Sequence, residues 1–102
     1  SLANSDNEIF AYEISDKTLQ TLEKQANKQE GIIQIDLSKF TKLKKNLKEL
    51  MPAIIAQKAV IVAPKEYREV MFIIISQLYM DVPVICYEEV ALDYEVKVIG
   101  TI

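Results

Sequence analysis

Residues 59–87, AVIVAPKEYREVMFIIISQLYMDVPVICY, decide the fold. Ala59 to Ala63 is short, rich in Val and Ile, and flanked by Lys58 and Pro64, the pattern of a buried central strand. Pro64 suits the first turn of a helix, where a missing backbone donor does no harm, and a helix is predicted over Lys65 to Met80. Its middle, Val70 to Ile75, is apolar almost all the way round, so it needs cover on more than one side. Asp81, Val82 and Pro83 form the exit, and Val84 to Tyr87 reads as the next strand. Strand, helix and strand in succession point to a sheet packed by helices.

Upstream, Phe40, Leu43, Leu47 and Leu50 recur at helical spacing, with Lys39, Lys42, Lys44, Lys45 and Lys48 on the remaining faces. Asp36 or Ser38 can cap this helix. Pro52 is expected to end or kink it near Leu50, because proline lacks a donor and crowds the preceding turn. Ile32 to Ile35 reads as a short strand or extended link. Nearer the start, Ile9 to Ile14 is a strand. Ser15 and Asp16 then open a helix whose Leu19, Leu22 and Ala26 share one face, and Gly31 suits a left-handed helix end. Downstream, Glu88 to Asp93 is a polar connection. Tyr94, Val96 and Val98 then alternate with Glu95 and Lys97, as in a strand with one wet face. The expectation is an α/β domain: a small mixed β-sheet packed by about three helices, in the order βαβαβαββ. Residues 1–8 read as a polar lead-in or cloning remnant and 9–102 as one domain. A start at Ser1 suggests a piece of a longer protein.

With 102 residues the chain has the size of one domain and buries roughly two-thirds of its unfolded surface. Its net charge of −3 speaks against nucleic-acid binding, which calls for a cationic excess. A membrane span needs about 20 apolar residues, and the Val70 to Ile75 run is far shorter. One cysteine cannot form an internal disulfide, so nothing favours an oxidising compartment.

The chain has no histidine. That removes histidine-based nucleophile pairs and histidine metal ligands. The two glycines, Gly31 and Gly100, are too far apart for a phosphate loop. No cofactor and no catalytic or metal-binding set is expected. Cys86, inside an apolar strand, reads as a small buried hydrophobe; a reactive thiol would need exposure and a nearby cation. Glu88, Glu89, Asp93 and Glu95 cluster near the C-terminus and read as a solvated loop, with a docking surface for a basic partner as the functional alternative. The lysines from Lys39 to Lys48 read as a solvent-facing helix surface that could also meet acidic lipid or an acidic partner. Tyr67, Met71, Phe72, Ile75, Leu78 and Tyr79 form the apolar surface of the third helix. Phe72 to Ile75 are consecutive and cannot all face one sheet, so some are expected to meet a neighbouring subdomain or protomer.

The stretch from Ala59 onward, with AVIVAPKEYR, VPVICYEEV and EVKVIG, resembles the C-terminal end of the flagellar and type III secretion export-gate family (the FlhA/LcrD type). Arg68, Tyr87, Glu89, Val90 and Gly100 fall on matching positions, and Ile14 to Ala26 resembles the helix that opens the last subdomain. Similarity spans about residues 9–102. In the family's pattern Asn is usual where Glu88 stands, and a small or hydroxylated residue where Cys86 stands.

The resemblance implies a terminal subdomain of a gate anchored in the bacterial inner membrane. Its cytosolic part would form a homo-oligomeric ring, nine-membered in the family, that receives export chaperone–substrate complexes and other export apparatus proteins. This piece would be non-enzymatic, on the cytoplasmic side, and packed against other subdomains of its parent. Arg68, Phe72, Ile73, Tyr87, Glu88 and Glu89 are the candidate partner or subdomain contacts. Arg68 would pair across a subdomain boundary, Tyr87 would fix the following loop, and Glu89 would hold that loop through a backbone group or Arg68. Two other readings remain open: a soluble regulatory α/β protein-binding domain unrelated to secretion, and a small hydrolase using the acidic cluster.

Overall fold

The computed structural model describes residues 6–25, 27–29, 32–78 and 81–102. Strand β1 (Glu8–Glu13) leads to helix α1 (Asp16–Gln25) and a hairpin of β2 (Asn27–Gln29) and β3 (Ile32–Gln34). A 3₁₀ turn (Leu37–Phe40) runs into α2 (Thr41–Ala56), followed by β4 (Val60–Val62). A second 3₁₀ turn (Lys65–Tyr67) opens α3 (Arg68–Ser76), then come β5 (Val84–Ile85), a third 3₁₀ turn (Tyr87–Glu89) and β6 (Glu95–Thr101). The main sheet has the order β5-β4-β1-β6 and every pairing in it is parallel. Antiparallel pairing is confined to the β2–β3 hairpin. The α/β class with three helices is therefore as the sequence predicts.

Local signals explain most of the boundaries. Ser15 caps α1: its Oγ accepts from the Thr18 amide at 3.3 Å. Asp36 caps the first 3₁₀ turn, accepting from the Ser38 amide at 3.1 Å and the Ser38 hydroxyl at 2.6 Å. After α2, Lys58 takes a left-handed φ of 52°. Its amide donates to the Ile55 carbonyl and the Ala59 amide to that of Ile54, both at 3.0 Å. That is a Schellman ending with lysine where glycine is usual.

The helix predicted over Lys65 to Met80 is instead a 3₁₀ turn followed by α3, which ends at Ser76, and three further expectations differ from the structure. First, α2 does not stop near Leu50; it continues through Pro52 to Ala56. The lost hydrogen bond and ring crowding cost about 3 kcal/mol. Met51 and Ile54, both fully buried, each gain about 1.5–3 kcal/mol by staying in the core, so tertiary burial outweighs the local penalty. Second, Asn27–Gln29 is an additional strand, and Ile32–Gln34 pairs with it rather than joining the main sheet. Third, β5 ends at Ile85, and Cys86 instead caps the turn that follows. The expectations for Ala26, Gly31 and Tyr79, and for residues 1–5 of the lead-in, lie outside the described residues.

Alternation along the strands divides the core in two. Tyr12, Ile61 and Val84 face the helices and meet Leu22, Phe40, Leu47, Met51, Ile54, Met71 and Ile74. Ile9, Ala11, Val60, Val62 and Ile85 face the other way and are covered by Val90, Tyr94 and Val96. The chain between β5 and β6 thus runs back over the face without helices, carrying it from one sheet edge to the other. This is the second-side cover that the apolar residues of β4 require. On α3 itself, Val70, Met71, Ile74 and Ile75 are buried, while Phe72 stays 48% exposed and Ile73 half-buried. β6 is an edge strand, and Val98 and Ile99 remain exposed on it.

Gly100 answers a close approach. A Cβ there would lie 2.5 Å from Cε2 of Tyr12. The Tyr12 ring sits over this point beside a register shift between β1 and β6, and its hydroxyl donates to Oε1 of Gln57 at 2.8 Å.

Candidate functional site: a contact surface beside the third helix

The carboxyl end of β5 and the first turn of α3 come together around Glu89. Its Oε1 accepts from the Cys86 amide at 3.0 Å and from the Cys86 thiol at 3.1 Å, and it forms an ion pair with Nε of Arg68. The sequence places Arg68 at the start of α3 and Glu89 at the third residue of the turn after β5, so the helix and the turn are tied by one carboxylate. The bonds from Cys86, reinforced by the Arg68 charge, hold the Glu89 carboxyl below the usual range. Conversely, donating to Glu89 pushes the buried Cys86 thiol up. A protonated, buried thiol is a poor nucleophile.

Tyr87 behaves differently from the expectation. It is 49% exposed, and its hydroxyl donates to Oε1 of Glu13 at the end of β1, not to the loop that follows. That bond pushes its pKa up to about 12. The reason is topological: β1 and β5 are separated only by β4, so the turn after β5 overhangs the end of β1. Glu88 is exposed in the same turn. Phe72 lies one helical turn beyond Arg68, four residues on, which places the two side by side on α3. Arg68 and Glu89, with Phe72 beside Arg68 on α3, therefore form an accessible surface that is part charged and part aromatic, and Tyr87 is exposed in the adjoining turn. Ile73 stands at its half-buried margin.

The acidic cluster does not act as a unit. Glu88, Asp93 and Glu95 are exposed, and Glu89 is engaged by Arg68 and Cys86. Among the described residues no three His, Cys, Asp or Glu side chains could hold a metal ion. Nor is any described helix long and apolar enough to cross a membrane. The arrangement is suited to contact: fixed backbone, half-exposed charges and an exposed aromatic. Sequence reasoning missed Glu13, because a bond to Tyr87 across 74 positions leaves no local trace.

Glu89 gives a pH prediction. Its folded pKa is below the unfolded one, so its contribution to stability is complete above the unfolded value and lost as pH falls through the folded one. Thermal melts across pH should show wild type losing stability on the acid side. A Glu89→Gln chain should be less stable at neutral pH and have a flatter acid limb. Parallel acid limbs for the two would show that Glu89 has no such role.

A parallel α/β domain with a contact surface and a helix-free face is the class these observations define. No protein-family model matches the chain, and no curated protein does. Solved structures do match. The chain is similar to nonameric EPEC SctV-C, seen by cryo-electron microscopy, with a TM-score of 0.75 and 18% identity. It is similar to the Shigella flexneri MxiA protein with a TM-score of 0.78 and 23% identity. Both matches cover 99% of this chain, and 31% and 33% of those chains. The C-terminal domain of InvA matches over 93% of this chain and 30% of its own, with a TM-score of 0.67 and 20% identity. The chain shares the fold of these structures and spans about a third of their length.

Proposed function

We propose that the chain is a structural and docking module of a bacterial type III or flagellar export gate, the terminal subdomain of its cytosolic part. The observation that supports this reading most is the match over 99% of the chain to nonameric SctV-C and to MxiA. On this reading the parent is anchored in the inner membrane and its cytosolic parts assemble into a ring. The module sits on the cytoplasmic side, packs on other subdomains, and helps receive export chaperone–substrate complexes and export apparatus proteins. Residues 9–102 form the module.

Its mechanism is non-covalent. The Glu89 carboxylate ties the turn after β5 to α3, and Tyr87 on that turn and Phe72 on that helix stay exposed. A chain without histidine, whose one thiol is buried and held protonated, supports a role by contact. Arg68, Phe72, Ile73, Tyr87, Glu88 and Glu89 are the residues proposed to meet a partner or a neighbouring subdomain.

The test is genetic. The coding region for residues 9–102 is deleted in frame from the parent gene, and export of secreted substrates is measured. Loss of export, restored by the intact gene, supports the role. Undiminished export, or a parent gene with no hydrophobic spans, contradicts it and favours a free regulatory domain.

A further inference from the structure

A second feature lies away from the contact surface. Between α1 and α2 is a groove of about 450 Å³. Ser15 and Ile102 belong to its lining, so it opens outside the carboxyl ends of β1 and β6, neighbouring parallel strands.

Charge is segregated there. Four of the chain's twelve cationic side chains, Lys17, Lys39, Lys42 and Lys45, line the groove, against one of its fifteen acidic ones, Glu49. All four lysines are exposed. Asp36 lies close enough to Lys39 to feel its charge, but its carboxylate is committed to the Ser38 amide and hydroxyl. Lys39, Lys42 and Lys45 recur every three residues, so they stand in a row along the 3₁₀ turn and α2, and Lys17 faces them from the first turn of α1. Like charges at that spacing repel one another. The chain as a whole is negative, so this row is a local concentration against the overall balance.

The floor is mixed: Leu43 and Ile102 are buried beneath the lysines together with Thr18, whose hydroxyl donates to the Ile102 carbonyl at 2.8 Å. Asn46 adds an amide, with both donors and an acceptor, to the wall. A concave channel with a partly apolar floor, a cationic rim, and hydroxyl and amide groups along its wall fits an extended polypeptide that carries carboxylates. A lipid surface is flat on this scale and would meet only the rim.

We propose that this groove docks an acidic segment of a partner protein, an extended stretch whose Asp and Glu side chains meet Lys17, Lys39, Lys42 and Lys45. The inference goes beyond the export role and stands on the groove alone, so either can fail without the other.

The probe is a synthetic peptide alternating glutamate and serine, titrated into the isotope-labelled chain while backbone amide shifts are followed. Shifts should concentrate at Lys17, Thr18, Lys42 and Asn46, and a glutamine–serine peptide should give none. Rising salt should weaken binding, since exposed charges are screened. The triple variant Lys39→Gln, Lys42→Gln, Lys45→Gln should bind about tenfold more weakly, as expected for three exposed ion pairs. These side chains are exposed and the variant should melt as wild type does; if it does not, Lys42→Gln alone should show a smaller loss in the same direction. Absent shifts, shifts spread equally over Lys65 and Lys97, or unchanged variant affinity would overturn the proposal. So would binding to phosphatidylserine vesicles that the triple variant loses while the peptide has no effect, which would give the groove to lipid.

Discussion

In a urea titration, a Met51→Ala chain is expected to be about 3 kcal/mol less stable than wild type, with little change in slope. Met51 has no exposed surface and sits among the residues that face the helices' side of the sheet. It is also the residue immediately before Pro52, the place where sequence rules put the end of the helix. Had α2 ended near Leu50, Met51 would lie in an exit loop and its truncation would change stability by less than about 0.5 kcal/mol. The size of the effect therefore reports whether the helix runs through the proline. A loss in the small range would mean that α2 stops early and that Ile54 is held in the core some other way.

Gly100→Ala is the second large effect. The new methyl would stand 2.5 Å from a Tyr12 ring carbon, well inside contact distance. Either the ring swings away, losing its bond to Gln57, or β6 shifts against β1. Overpacking of this kind costs about 1–3 kcal/mol. A double-mutant cycle identifies the cause. With Tyr12→Leu in the background, no ring remains over position 100, and the alanine should have a smaller effect. Equal losses in both backgrounds would show that Tyr12 is not what the glycine accommodates.

The readable parts of this fold are those fixed by near neighbours along the chain. β4 was legible because five small or β-branched apolar residues stand between a lysine and a proline. The caps Ser15 and Asp36 were legible because a side chain and the amides two or three residues on are enough to define them. What stayed hidden depends on distant residues. Asn27–Gln29 is a polar stretch with no strand pattern, and it gains its structure only from pairing with Ile32–Gln34. Pro52 was misjudged because its penalty is local while the burial that overrides it is not. Phe72 and Ile73 followed from counting, since a helix apolar on all sides cannot bury every residue, but which of the four consecutive residues stayed out depended on the position of the sheet.

The candidate site divides in the same way. Arg68 and Glu89 stood out in the sequence, and the structure brings them together. The partner of Tyr87 did not, because Glu13 lies at the far end of the chain and meets it through the order of the strands. The lysine row on α2 was visible as a pattern. Its meaning changes once Lys17 closes it into a groove.

That the chain works by contact is tested most directly by Arg68→Glu combined with Phe72→Asp in the full-length parent, with substrate export as the readout. Both side chains are partly exposed, and the separately purified 102-residue variant serves to confirm that the fold survives. The account predicts a folded variant whose parent exports far less than wild type. Export at the wild-type level from a folded variant would contradict it.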